Sequence, residues 1–85
     1  MYSIIINKSA DKELNELPLR VFESIDRKIL ALAKNPRPGG CKKLTGYEYH
    51  YRIRAGVYRV IYVIHDIRSI IVIIRIGHRR EVYDF

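Results

Sequence analysis

Two kinds of apolar periodicity divide this chain, and the changeover falls near its midpoint. Residues 2–7 (Y-S-I-I-I-N) form a short β-rich run, which predicts a first strand whose consecutive isoleucines suit burial on both faces. Ser9 is placed to cap a short helix, because its hydroxyl can accept from the free amides of the first turn, and Ala10, Leu14 and Leu17 recur on one side of it. Pro18 breaks that helix and fits the first turn of a second, where its missing N–H costs little. Val21, Phe22, Ile25, Ile29 and Leu32 then follow the i, i+3/i+4, i+7 spacing of an amphipathic helix. Asn35-Pro36 ends it, and Arg37-Pro38-Gly39-Gly40 reads as a loop. From Tyr47 the period becomes two. Residues 47–54, 57–64 and 70–77 predict three strands, joined by Ala55-Gly56 and by residues 65–69. The expected fold is α+β in the order β-α-α-β-β-β, with a helical hairpin packed on a mainly antiparallel four-stranded sheet.

The turns predict a register. A two-residue Ala55-Gly56 hairpin sets Arg54 opposite Val57, Ile53 opposite Tyr58 and Arg52 opposite Arg59. A five-residue second loop pairs Ile64 with Ile70 and therefore Arg59 with Arg75. One face then carries Tyr49, Tyr51, Ile53, Tyr58, Val60, Tyr62, Ile64, Ile70, Val72, Ile74 and Ile76, which is where the helices should pack. The other face is split between a cationic half (His50, Arg52, Arg54, Arg59, Arg75) and an aliphatic half (Ile61, Val63, Ile71, Ile73).

Composition narrows the class. The chain has 85 residues, 48% of them hydrophobic, which implies one domain and excludes intrinsic disorder. Its single cysteine, Cys41, excludes an internal disulfide framework and a cysteine-based zinc site, and points to a reducing cytoplasm. Apolar runs such as residues 70–74 fall far short of the roughly 20 residues that cross a bilayer, so no membrane is expected as partner. Sixteen Lys and Arg against nine Asp and Glu leave a net charge of +7, the footprint of a polyanion partner. Tyr47, Tyr49, Tyr51, Tyr58 and Tyr62 interleave with this charge, as phosphate contact plus base stacking would use them; tyrosine is equally a good strand residue.

The arginines carry the chemistry. Like charges opposite one another destabilise a sheet, where an opposite pair would contribute roughly 0.2–1 kcal/mol, so folding alone does not ask for Arg52 beside Arg59 with Arg54 on the same face. A bound anion resolves the repulsion, and the guanidinium fork matches phosphate oxygens. Arg79 keeps the parity of Arg75, and Tyr83 lies just beyond, either stacking on a base or anchoring the chain end. Arginines, a tyrosine and a histidine suit metal-free RNA cleavage, in which the ribose 2′-OH attacks the adjacent phosphate and leaves a cyclic phosphate and a 5′-hydroxyl. Arginine hardly deprotonates, so the general base is left open unless His50 or His78 serves. The histidines at 50, 65 and 78 have no metal-ligand spacing, and no cofactor is expected.

Lys43-Leu44-Thr45-Gly46, then Tyr51-Arg52-Ile53-Arg54-Ala55-Gly56-Val57-Tyr58-Arg59-Val60-Ile61-Tyr62, then Gly77-His78-Arg79 and Glu81-Val82-Tyr83 resemble the pattern of the RelE/ParE toxin superfamily, and within it RelE-type toxins. The resemblance implies a type II toxin that cuts messenger RNA in the ribosomal A site and is silenced by a cognate antitoxin in a hetero-oligomeric complex. By position it gives Arg59 the scissile phosphate, Arg79 the leaving group, and Tyr83 the substrate base. Arg52 and Arg54 stand where relatives have lysines, one of them proposed as general base. Lys42, Lys43, His50, Arg75, His78 and Arg80 are the further candidates for RNA contact. ParE-type members share the fold but poison DNA gyrase, and the joint retention of Arg59, Arg79 and Tyr83 favours RNA cleavage. A non-catalytic RNA-binding module would need the arginines but not Tyr83. The aliphatic half-face and the exposed side of the helices are candidate antitoxin surfaces, unless residues 2–7 or the loop 36–43 cover those aliphatics.

Overall fold

The computed structural model describes residues 1–82. Strand β1 (Ser3–Ile6) leads into helices α1 (Lys8–Asn15) and α2 (Leu19–Ala31). A two-residue strand β2 (Lys42–Lys43) follows, then the meander β3 (His50–Ala55), β4 (Tyr58–His65) and β5 (Ile70–His78). They build one five-stranded sheet in the order β1-β5-β4-β3-β2. β1 runs parallel to β5, and the other pairings are antiparallel. The α+β architecture is the expected one, with β2 as an added edge strand too short to leave a periodicity in the sequence.

Local chemistry explains the helix ends. Asn7, not Ser9, caps α1: its Oδ1 accepts the Ala10 N–H at 2.8 Å, and the Ser9 hydroxyl donates to the same oxygen at 3.2 Å. Pro18 stands just before α2 as its cap, and its carbonyl accepts the Phe22 N–H at 2.9 Å. Ala10, Leu14, Ile25, Ile29 and Leu32 from the helices meet Ile53, Val60, Tyr62, Ile64, Ile71, Ile73 and Ile76 of the sheet in the main core. β1 lies at the sheet edge, so its isoleucine run is covered on one face only. Ile4 and Ile6 pack on the core while Ile5 stays 48% exposed.

The β3–β4 register is shifted from the expected one by two residues. The turn is Gly56-Val57, with Gly56 at φ +61 supplying the positive φ that a primed turn needs at its first central position. Arg54 therefore pairs with Arg59, Ile53 with Val60, and Arg52 with Ile61. A shift of two preserves the faces, so Ile53, Val60, Tyr62 and Ile64 still point at the helices. Tyr49 does not join them: it takes a left-handed φ of 64° ahead of β3 and is 56% exposed.

In β5 the slip is one residue, and it reverses the faces. His65 pairs with Ile70 across the loop 66–69, so Ile71 and Ile73 enter the core in place of Ile70 and Val72. A bulge then corrects the phase: Tyr62 pairs with Ile73 but Ile61 with Arg75, leaving Ile74 as the extra residue, and Ile76 returns to the core. Arg59 accordingly faces Gly77 rather than Arg75. The supposed aliphatic half-face is dismantled by the same slip. Ile71 and Ile73 lie in the main core, and Ile61 is sealed with Leu44, Val82 and the partly buried Ile74 in a second, smaller core.

A polar clasp ties the loop after α2 to the sheet. The Arg37 guanidinium donates to both Asp66 oxygens, at 3.3 and 2.8 Å, and its Nε donates to the Tyr51 hydroxyl at 3.3 Å. Tyr2 donates to Asp66 at 2.6 Å, and the buried Tyr62 hydroxyl donates to the Pro36 carbonyl at 2.8 Å with the Cys41 sulfur 3.2 Å away. Cys41 is thereby a packing and hydrogen-bonding residue of the loop. Burial pushes the Tyr62 phenol well up, and the Arg37 hydrogen bond, then that of Tyr2, holds the Asp66 carboxyl below its ordinary range.

Two predictions follow from register and clasp. Ile73→Ala should cost about 2–5 kcal/mol in urea unfolding, and Val72→Ala well under half of that; the expected register would reverse the order. Because Asp66 has a lowered carboxyl pKa, its stabilisation is present at neutral pH and is lost as pH falls below 3.8. Melting temperatures of the wild type and Asp66→Asn should therefore differ at pH 7 and converge in acid.

Candidate functional site

The cationic residues gather where the β3–β4 hairpin meets the end of β5. Arg54 and Arg59 stand directly opposite each other in the antiparallel pair. The Arg79 amide donates to the Val57 carbonyl at 2.8 Å, which carries the ladder past the end of β5 and holds Arg79 against the hairpin turn. Arg54 and Arg79 are exposed, whereas Arg59 is half-buried and its Nη1 reaches the Val82 carbonyl at 3.4 Å. Val82 is seated by Gly77: a Cβ at that position would lie 2.7 Å from the Val82 Cγ2. Glycine therefore lets the chain after β5 fold back and close the second core beside Arg59.

His78 belongs to the same end. It pairs with Tyr58, the two rings meet edge-on at 5.8 Å, and its Nδ1 accepts the Arg80 N–H at 3.1 Å, which assigns the proton to Nε2. Glu81 and Val82 both donate their amides to the His78 carbonyl, at 2.8 and 2.9 Å, so the segment turns tightly around this residue. A groove of about 430 Å³ runs from His78 and Tyr58 to Glu13, Glu16 and Glu81, an acidic flank beside the cationic end.

The other candidates are dispersed. Arg52 lies one step down the same face of β3, paired with Ile61 and Lys42, and is only 3% exposed. Lys42 and Lys43 are exposed on the edge strand. His50 begins β3, about 13 Å of strand away from Arg54; its Nδ1 is 2.7 Å from the Glu48 carbonyl and its ring 5.5 Å from that of Tyr47. Arg75 is drawn to the sheet edge by Glu13 of α1. One Glu13 oxygen accepts from the Arg75 guanidinium at 3.2 Å, and the other accepts the Ile76 amide at 3.0 Å. Tyr83 lies outside the described residues. Glu13, Gly77 and Val82 are the positioning residues that sequence reasoning did not single out. Only the Gly77 and Val82 positions within the C-terminal motif offered a signal, since the Glu13–Arg75 contact joins residues 62 apart.

Arg54, Arg59 and Arg79 thus share one sheet end, and guanidinium groups are suited to multiply charged anions through charge and two-point hydrogen bonds. Among the described residues no set of three His, Cys, Asp or Glu is placed to hold a metal ion.

Comparison with known proteins bears on what this arginine cluster belongs to. The family model described as "ParE toxin of type II toxin-antitoxin system, parDE" matches residues 4–83. The protein named RelE1 of Methanocaldococcus jannaschii is 33% identical over 85 residues, 96% of this chain and 94% of its own length. Toxin RelG of Mycobacterium tuberculosis is 29% identical over 90 residues, covering 96% of this chain and 95% of its own. The archaeal RelE–RelB complex of Pyrococcus horikoshii contains a chain that superposes with a TM-score of 0.83 at 29% identity, over 95% of this chain and 98% of that one. Full-length agreement of sequence and fold places this chain in the RelE/ParE superfamily of type II toxin–antitoxin toxins.

Proposed function

We propose that this toxin is an endoribonuclease that cleaves messenger RNA on the ribosome and so inhibits translation. The observation that carries the reading is the direct cross-strand opposition of Arg54 and Arg59, with Arg79 hydrogen-bonded to the same hairpin. In the proposed step the 2′-OH loses its proton, its oxygen bonds to phosphorus, and the P–O5′ bond breaks. The departing 5′ oxygen takes up a proton, which leaves a 2′,3′-cyclic phosphate and a 5′-hydroxyl. Arg59 stabilises the pentacoordinate anion from its half-buried position, where a fixed charge acts through less water than on the surface. Arg54 clamps the phosphate, and Arg79 answers charge on the leaving oxygen. Tyr83 orients the base, and Arg52 supports the clamp from below. Neither histidine considered as base is placed for that role: His50 is a strand's length away, and the His78 Nδ1 already accepts the Arg80 N–H, so the base is left unassigned. Lys42, Lys43 and Arg80 widen the cationic surface toward the RNA, and Arg75 is engaged by Glu13 instead.

The partner that silences such a toxin is a cognate antitoxin, a RelB-type protein by analogy with the RelE–RelB complexes. It is acidic, binds in a hetero-oligomeric assembly, and meets its toxin in the cytoplasm. The ParE name of the matching family model supports a second reading, a non-enzymatic inhibitor of DNA gyrase.

Expression of the wild type should arrest growth and create new mRNA 5′ ends. The Arg59→Ala, Arg79→Ala double variant should lose cleavage by at least about 10²-fold, the usual cost of deleting one transition-state donor. Arrest with gyrase-linked DNA breaks and no new RNA ends would establish the second reading and overturn the first.

A further inference from the structure

Beside the arginine cluster lies a groove of about 250 Å³, lined by Lys28 and Ala31 of α2, Pro38, Gly39 and Gly40 of the following loop, and Ile53 and Arg54 of β3. We propose that it is a subsite for one nucleotide of single-stranded RNA, the neighbour of the scissile phosphate. This inference rests on the nuclease reading only for the word neighbour; the groove's affinity for a phosphodiester stands on its own features.

The first feature is a glycine that folding does not require. The Cys41 N–H bonds to the Pro38 carbonyl at 3.0 Å, closing a turn whose central residues are Gly39 and Gly40. Gly40 has φ +85, as the third residue of a type II turn must, so glycine is demanded there. Gly39 occupies the second position, where φ is negative and proline is favoured. A Cβ built on Gly39 would meet no atom within 4 Å. Neither torsion nor packing calls for glycine at 39, and the remaining physical reason is close approach of something to the backbone. Among the described residues, neither the Gly39 nor the Gly40 amide has a hydrogen-bond partner, which leaves two adjacent N–H donors in the turn.

The second feature is charge. Lys28 of α2 and Arg54 of β3 both line the groove, and no carboxylate among the described residues does. Arg54 also pairs with Arg59, so the groove is continuous with the cationic end of the sheet.

The third is the shape of the sheet edge. β2 pairs with β3 only at Tyr51 and Arg52, because the chain bends away at the glycine turn. The outer edge of β3 is thus uncovered at Ile53 and Arg54, immediately before the hairpin. Two residues of edge offer too few ladder bonds for an added peptide strand, but they form a floor for one nucleotide.

The test uses the intact chain and a single-stranded RNA pentamer whose central residue is 2′-deoxy, read by fluorescence anisotropy against salt concentration. Gly39→Val should bind about tenfold more weakly with an unchanged or raised melting temperature. Lys28→Gln should lower the slope of log K against log[salt] by about 0.7, the value for one phosphate on a single strand. Arg68→Gln, in the loop 66–69 at the opposite end of the sheet, should leave slope and affinity unchanged. Wild-type binding by both groove variants, or an equal loss in Arg68→Gln, overturns the subsite. Loss of affinity for an acidic peptide with pentamer binding intact overturns it too, in favour of a protein site. Cuts in cellular mRNA alongside unaltered pentamer binding would remove the groove and keep the nuclease; weakened pentamer binding with no cuts by the wild type would keep the groove and remove the nuclease.

Discussion

The bulge at Ile74 is the constraint on which the rest of the structure depends. The four-residue connection between β4 and β5 sets the strand out of phase, so that Ile71 and Ile73 face the helices. Continued without interruption, that phase would turn Ile76 away from the core and carry Gly77 off its place beside Arg59. One extra residue restores it. The same kink brings Arg75 to the edge that β1 no longer covers, where Glu13 binds both its guanidinium and the next amide. Core packing at one end and site geometry at the other therefore share a single local irregularity.

From there the site follows with little freedom. Once Gly77 is opposite Arg59, the missing Cβ admits Val82, and Val82 with Leu44, Ile61 and Ile74 makes a second apolar seal on the face opposite the helices. That seal gives Arg59 a half-buried setting, in which a charge acts through a lower effective dielectric than on an open surface. Arg54 and Arg79, both exposed, flank it on the water side. Like charges facing across a ladder oppose folding, so the fold is built to tolerate the pair rather than to profit from it. An anionic partner would relieve that opposition, which is the physical basis of the phosphate binding proposed for the pair.

Most of the architecture was legible because period and turn chemistry are local. Apolar spacing located both helices, the strand alternation located the meander, and a shift of two in the β3–β4 hairpin left the face assignments intact for all but Tyr49, which lies ahead of β3. What was not legible depends on counts of one. The length of the second turn decided whether Ile70 or Ile71 faced inward, and nothing in residues 65–69 distinguishes a four-residue from a five-residue connection except that Ser69 accepts a left-handed φ. The bulge, the two-residue β2 and the Glu13–Arg75 contact leave no periodic trace. Arg54, Arg59 and Arg79 were readable as a group since parity and motif agreed on them. Arg52 was readable as a position but not as a buried one, because strand alternation puts it on the face away from the helices.

The end chemistry of the RNA products tests the central claim most directly. Attack by the neighbouring 2′-OH at a site of fixed arginines predicts upstream fragments ending in a 2′,3′-cyclic phosphate and downstream fragments beginning with a 5′-hydroxyl, with no cut at a 2′-deoxy residue. Downstream fragments carrying a 5′-phosphate, or cleavage that persists at the 2′-deoxy position, would mean that water and not the ribose is the nucleophile, and would contradict the account.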